Sequence, residues 1–182
     1  MLRPTLWRTC RVLANRTRLR IFVLLLEQGG QTVSTIAARL KLSLPVASQY
    51  LRAMEARSLL KVRRFGLRVA CRIADDQTGP AQGLVRALRQ AFRRDSSPVE
   101  TIFKQATTFT HARRIECFRV LCDRAQTLAE LRAATGISVR AIVRHISKLE
   151  ARGFVVCRQS QYRRGGYRSD AFGRELARLA AG

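Results

Sequence analysis

The sequence predicts a mainly α protein with small β-hairpins, in which one supersecondary unit occurs twice and an amphipathic helix joins the copies. Three observations predict it. Residues 43–60 (SLPVASQYLRAMEARSLL) and 138–155 (SVRAIVRHISKLEARGFV) end their long helices on the same Glu-Ala-Arg, and a short helix opening on Gln-Thr precedes each of them, at Gln31-Thr32 and Gln126-Thr127. Apolar residues recur at helical spacing through most of the chain. After each long helix the spacing shortens toward that of a strand, within an arginine-rich stretch. A repeat of a whole unit is stronger than any one motif, because each copy checks the other.

The elements follow in order. Leu6, Cys10, Leu13 and Ala14 share one helical face. A second helix begins after Asn15, with Leu19, Phe22, Val23 and Leu26 as a stripe that Ile21, Leu24 and Leu25 widen, which marks a central core helix. Gly29-Gly30 stops it. Thr32 caps a short helix with Val33, Ile36, Ala37 and Leu40 inward. Ser43 caps the next, with Ala47, Tyr50, Leu51 and Met54 inward. Residues 59–64 and 67–73 alternate around Phe65-Gly66 as a hairpin.

A turn cluster at residues 75–80 (DDQTGP) leads to a helix with Ala81, Leu84, Val85, Leu88, Ala91 and Phe92 on one face and arginines on the other. It is too short and too arginine-rich to be stable alone, so the apolar side must dock on protein. Asp95-Ser96-Ser97-Pro98 forms the best boundary, with Ser97 as N-cap and Pro98 in the first turn. Val99, Ile102, Phe103 and Ala106 continue helically, and Ile115, Phe118, Leu121 and Cys122 mark a second core helix. Thr127 and Glu130 form a capping box, and Ser138 caps the second long helix. A second hairpin begins at residues 154–158, but its return is not defined, because residues 163–166 (RRGG) read as loose. Phe172, Leu176 and Leu179 close the chain as a short helix. The boundaries are therefore 1–78 for the first unit, 79–95 for the linker helix and 96–182 for the second.

Such a unit is a winged helix-turn-helix. Its short helix braces the long one, the long one enters the DNA major groove, and the hairpin grips phosphates or an adjacent minor groove. The recognition helices fall at about residues 43–57 and 138–152. Candidate DNA contacts in the first are Ser43, Pro45, Ser48, Gln49 and Arg52, with Arg63, Arg64 and Arg68 on the wing. In the second they are Ser138, Arg140, Arg144, His145 and Lys148, with Arg163, Arg164 and Arg168 on the wing. Glutamine can pair bidentately with adenine and arginine with guanine. Any one of these arginines alone is better read as a solvated surface charge. Their coincidence with the outward face in both copies is what points to DNA.

Charge agrees. The formal net charge is +23, from 35 Lys+Arg against 12 Asp+Glu, and only four of the cations are lysines (Lys41, Lys61, Lys104, Lys148). A field of that size attracts a polyanion, with double-stranded DNA as the expected partner. The longest apolar run, residues 21–26, is far too short to span a bilayer, and the arginine-interrupted N-terminus lacks a signal-peptide core. Five scattered cysteines, at 10, 71, 117, 122 and 157, contain no CxxC pair, which points to a reducing compartment and a cytoplasmic, nucleoid-associated protein. Cys117, Cys122 and His111 are weak candidates for a metal or redox site; small core residues are the better reading of the two thiols. No cofactor is implied. With two histidines and few acids, no acid–base pair or nucleophile constellation is visible, so no enzyme is expected.

Residues 15–21 (NRTRLRI), 32–40 (TVSTIAARL) and 42–51 (LSLPVASQYL) resemble the ArsR-type winged-helix repressors. The resemblance covers roughly residues 6–73, and residues 110–115 with 138–150 look like a divergent relative. Tyr50 stands where that family often has His. The resemblance implies a bacterial or archaeal transcription regulator that works as a dimer on a near-palindromic operator. Two family-like units in one chain fit either a homodimer or an internal pseudo-dimer. The metal-sensing cysteine pair of some relatives is absent, since residues 33–40 hold no Cys, His or Asp. The expected function is sequence-specific regulation of transcription. The alternatives are a non-specific or architectural DNA protein, which the charge equally allows, and a tandem winged-helix module for protein partners, which a surface this basic disfavours.

Overall fold

The computed structural model describes residues 5–65, 68–74, 81–94, 97–166 and 170–182. Its elements run α1 (Leu6–Leu13), α2 (Arg16–Gln28), β1 (Gln31–Thr32), α3 (Val33–Leu40), α4 (Leu44–Glu55), β2 (Leu60–Phe65), β3 (Arg68–Ile73) and α5 (Gln82–Arg94). They continue with α6 (Pro98–Thr108), α7 (Ala112–Asp123), α8 (Leu128–Thr135), α9 (Val139–Glu150), β4 (Val155–Arg158), β5 (Gln161–Arg164) and α10 (Ala171–Ala181). The chain is thus mostly helical with small antiparallel strand pairs, as a winged helix-turn-helix requires. None of the described helices is long and apolar enough to cross a membrane. The turns expected at Gly66, at residues 75–80 and at residues 95–96 lie outside the described residues.

The local devices of the first half recur in the second. Asn15 caps α2, its side chain accepting from the Arg18 N–H at 2.9 Å, and His111 caps α7 by accepting from the Arg113 N–H at 3.2 Å. The turn before α4 passes through Lys41 at φ 53°, and the turn before α9 through Gly136 at φ 65°. After the long helices, Ser58 (φ 55°) and Gly153 (φ 75°) turn the chain in the same left-handed way. Glycine adopts that conformation without a Cβ penalty, whereas Lys41 and Ser58 hold it against one. Thr127 and Glu130 make the expected capping box. Ser43, Ser97 and Ser138 occupy N-cap positions, but none of their side chains caps its helix.

In the first half β3 pairs antiparallel with both β2 and β1, with Gln31 opposite Cys71. In the second half β4 pairs with β5, and Gln126 bridges to Tyr162 in the place β1 takes in the first. The second wing is well defined where the sequence leaves it open. Gln159 (φ 49°) and Ser160 (φ 61°) form a two-residue turn with both central residues left-handed, the geometry that matches strand twist. Nor is the stretch after it loose. Gly165 is buried, its N–H donates to the Phe154 carbonyl at 2.9 Å, and an added Cβ would lie 2.4 Å from the Gly153 carbonyl oxygen.

The buried apolar residues form one unbroken core across both halves. Two pairs of corresponding helices join them: α1 packs on α6, and α5 packs on α10. Helix α5 buries Leu84, Val85 and Leu88, while half-buried Phe92 stacks on Phe22 of α2 with ring centroids 5.7 Å apart. The linker helix is therefore part of the core. Phe109, Phe118 and Phe154 form an edge-on aromatic cluster in the second half, with centroids 4.8 to 6.3 Å apart. Arg16 makes a two-pronged ion pair with Glu100, tying α2 to α6 at the surface.

Candidate nucleic-acid interface

Two arginines, the half-buried Arg18 on α2 and the buried Arg114 on α7, reach back to the ends of the helices that precede their own. The Arg18 Nη1 donates to the carbonyls of Arg11 (3.4 Å) and Val12 (3.3 Å) at the end of α1, and its guanidinium lies 5.0 Å from the centroid of the Tyr50 ring on α4. The Arg114 Nη1 donates to the carbonyls of Thr107 (3.2 Å) and Thr108 (2.7 Å) at the end of α6. Arg114 also lies close enough to His145 on α9 to disfavour a charge on its imidazole. Both arginines donate to carbonyls in the last turn of a helix, and both favour the negative end of a helix dipole. Desolvation lowers the pKa of both guanidinium groups.

On α4, Ser43, Pro45, Gln49 and Arg52 are exposed and Ser48 is half-buried. On α9, Ser138, Arg140, Arg144 and Lys148 are exposed. Arg63 and Arg64 on β2, and Arg163 and Arg164 on β5, are exposed as well. The side chain of Arg68 and the whole of Arg168 lie outside the described residues. A groove of about 610 Å³ runs between the N-terminus of α3, α4 and β3, lined by Thr32, Ser34, Leu44, Ser48 and Val69 among others.

His145 is the exception. It is expected on the DNA-facing side, but it is 7% exposed, with its ring centroid 4.8 Å from that of His111. The repeat explains why: aligning Ser43 with Ser138 sets His145 against Tyr50, which faces inward. Burial is the main cause holding the His145 pKa down to about 4, assisted by the nearby His111, Arg114, Arg144 and Arg113. The imidazole is thus neutral in the folded state where an unfolded histidine begins to protonate. The unfolded chain takes up the proton first, so stability is full above pH ~6.5 and declines as pH falls toward ~4. The expected result is a melting temperature that drops through this window, with a shallower drop in His145→Gln; equal slopes would show that His145 does not carry the dependence.

The weak metal candidates do not converge. Cys117 is buried, and desolvation pushes its thiol up to about 11; the half-buried Cys122 is raised for the same reason. Thiols so protonated are poor ligands and poor nucleophiles at neutral pH. His111 sits on the surface beside His145. Among the described residues, no group of three or more His, Cys, Asp or Glu side chains is placed to hold a metal ion.

Residue type and periodicity miss three residues on this surface. Among the described residues, the large hydrophobic side chains that are exposed are Leu44 (56%), Val139 (39%) and Val143 (42%), all on α4 and α9. Helical periodicity alone assigns apolar residues inward, which hides them.

Residues 13–63, from the end of α1 into β2, match a family described as a helix-turn-helix domain. No curated protein matches the chain. The matched segment contains α2, α3 and α4, the helices that brace and present the first exposed polar face. DNA binding in the manner of a helix-turn-helix regulator is the function that this match supports.

Proposed function

We propose that the chain is a sequence-specific, double-stranded-DNA-binding transcriptional regulator made of two tandem winged helix-turn-helix units. The first (1–78) is ArsR-like, the segment 79–95 joins the units, and the second occupies 96–182. Helices α4 and α9 enter successive major grooves, and the arginine-bearing wings follow the phosphate backbone, at the nucleoid. The carrying observation is that α4 and α9 both present exposed polar or cationic side chains on the face away from the core. Corresponding helices pack on each other, α1 on α6 and α5 on α10, as they would in an internal pseudo-dimer. No second chain is then needed to supply the other half-site.

The two faces differ in chemistry. Gln49 on α4 suits adenine, while Arg144, its counterpart on α9, sits on a more cationic face suited to phosphates. Selection of bound sequences from random DNA at fixed salt tests the reading. It should return a defined site, and Gln49→Ala should cost about 1–3 kcal/mol on that site and relax its sequence there. Arg144→Ala should weaken all sequences alike. Recovery of random sequence would favour a non-specific architectural protein instead.

A further inference from the structure

We propose that Leu44, Val139 and Val143 read thymine by contact with its C5-methyl group. The inference rests on the DNA-binding reading above and adds to it a class of base and the residues that select it. These three are the exposed large hydrophobics among the described residues, and all lie on α4 and α9. Leu44 and Val139 hold the same place in the two copies, each the first residue of its helix after an N-cap serine. Chance scatter of surface apolar residues does not place them at equivalent positions of two recognition helices.

The surroundings define the occupant. Val139 and Val143 alternate with exposed Arg140 and Arg144, and Leu44 lines a groove with Ser34 and Ser48 on a chain of net charge +23. A partner must therefore be anionic yet offer small apolar points between its polar groups. In the DNA major groove the thymine methyl is that point, set among hydrogen-bond donors and acceptors of the base edges. Val139 and Val143 lie one turn apart, about 6 Å along the helix, close to the rise of two base steps at ~3.4 Å each. Both are β-branched and stiff at χ1, so their methyls are presented with little entropy left to lose. In α4, Ser48 takes the position that Val143 holds in α9. The half-site under α9 should therefore depend on more thymine methyls than the half-site under α4.

The test uses the full chain and its selected duplex. Each thymine is replaced in turn by deoxyuridine, which removes the methyl and keeps the hydrogen-bonding edge. Affinity is measured at one salt concentration for the unaltered chain, Leu44→Ala, Val139→Ala and Val143→Ala. A contacted methyl should be worth about fourfold in affinity, the equivalent of one buried methylene. Each variant should lose the penalty at its own thymine only, while its melting temperature stays that of the parent. Unchanged affinity on a fully deoxyuridine-substituted duplex, or penalties that persist in all three variants, would overturn the assignment while leaving the DNA-binding reading intact. Failure to bind any thymine-containing duplex would instead remove the reading on which it rests. Should a variant not fold, the substituted-DNA series on the unaltered chain still decides whether methyls are read.

Discussion

Raising the salt concentration from ~50 to ~200 mM should lower the affinity of this chain for DNA by roughly 10³- to 10⁵-fold, the loss that goes with about six to ten neutralised phosphates. The cause is counterion release. A chain of net charge +23, with exposed arginines on both hairpins and on α4 and α9, displaces condensed cations when it docks. The slope of log K against log salt, measured by titration of a labelled duplex, counts the phosphates. Docking through one half alone should give about half the slope of both. A binding constant nearly independent of salt would remove DNA as the partner. An acidic protein partner would show a shallower dependence, with no counterion atmosphere of duplex DNA to release.

The second large effect is on stability. Leu88 is fully buried on α5, the helix that packs on α10 and α6. Leu88→Asp places a carboxylate with no partner into this apolar layer. Leaving a buried charge uncompensated costs about 3–5 kcal/mol, a large share of the roughly 5–15 kcal/mol that holds a typical domain folded. For a chain of this size the melting temperature should fall by about 6–20 °C. Because the core is continuous, the loss should appear as one transition of the whole chain and not as melting of one half. Sedimentation at several concentrations should give the mass of a single chain before and after the change. A dimer that Leu88→Asp dissociates would show that α5 joins two chains, and an unchanged melting temperature would show that α5 does not dock.

Much of the architecture is legible in the sequence for a physical reason. Gly29 ends α2, Thr127 with Glu130 starts α8, and the apolar stripe of α2 at Leu19 and Phe22 lies in the core; all three are local signals. Nonlocal pairing is harder to see. The strand at Gln31–Thr32 exists because its edge meets β3 some forty residues on, and two residues carry no periodicity of their own. The return of the second wing is hidden because Gln159 and Ser160 make a left-handed turn without glycine. His145 misleads for a different reason. A polar residue on an amphipathic helix is assigned outward by its type, and only alignment of the repeat with Tyr50 corrects it. The exposed Leu44, Val139 and Val143 are the converse case, apolar residues on a face where residue type alone predicts polar ones.

The continuous core that fastens α5 to α10 and α1 to α6 has a genetic consequence. A regulator assembled from two copies of one chain carries every codon change in both reading heads at once. In the proposed internal pseudo-dimer each head is encoded once. A mutation in α4 leaves α9 untouched, so one half-site can drift while the other keeps its grip. The distance and angle between the heads are fixed within a single polypeptide and do not change as the cell makes less of the protein.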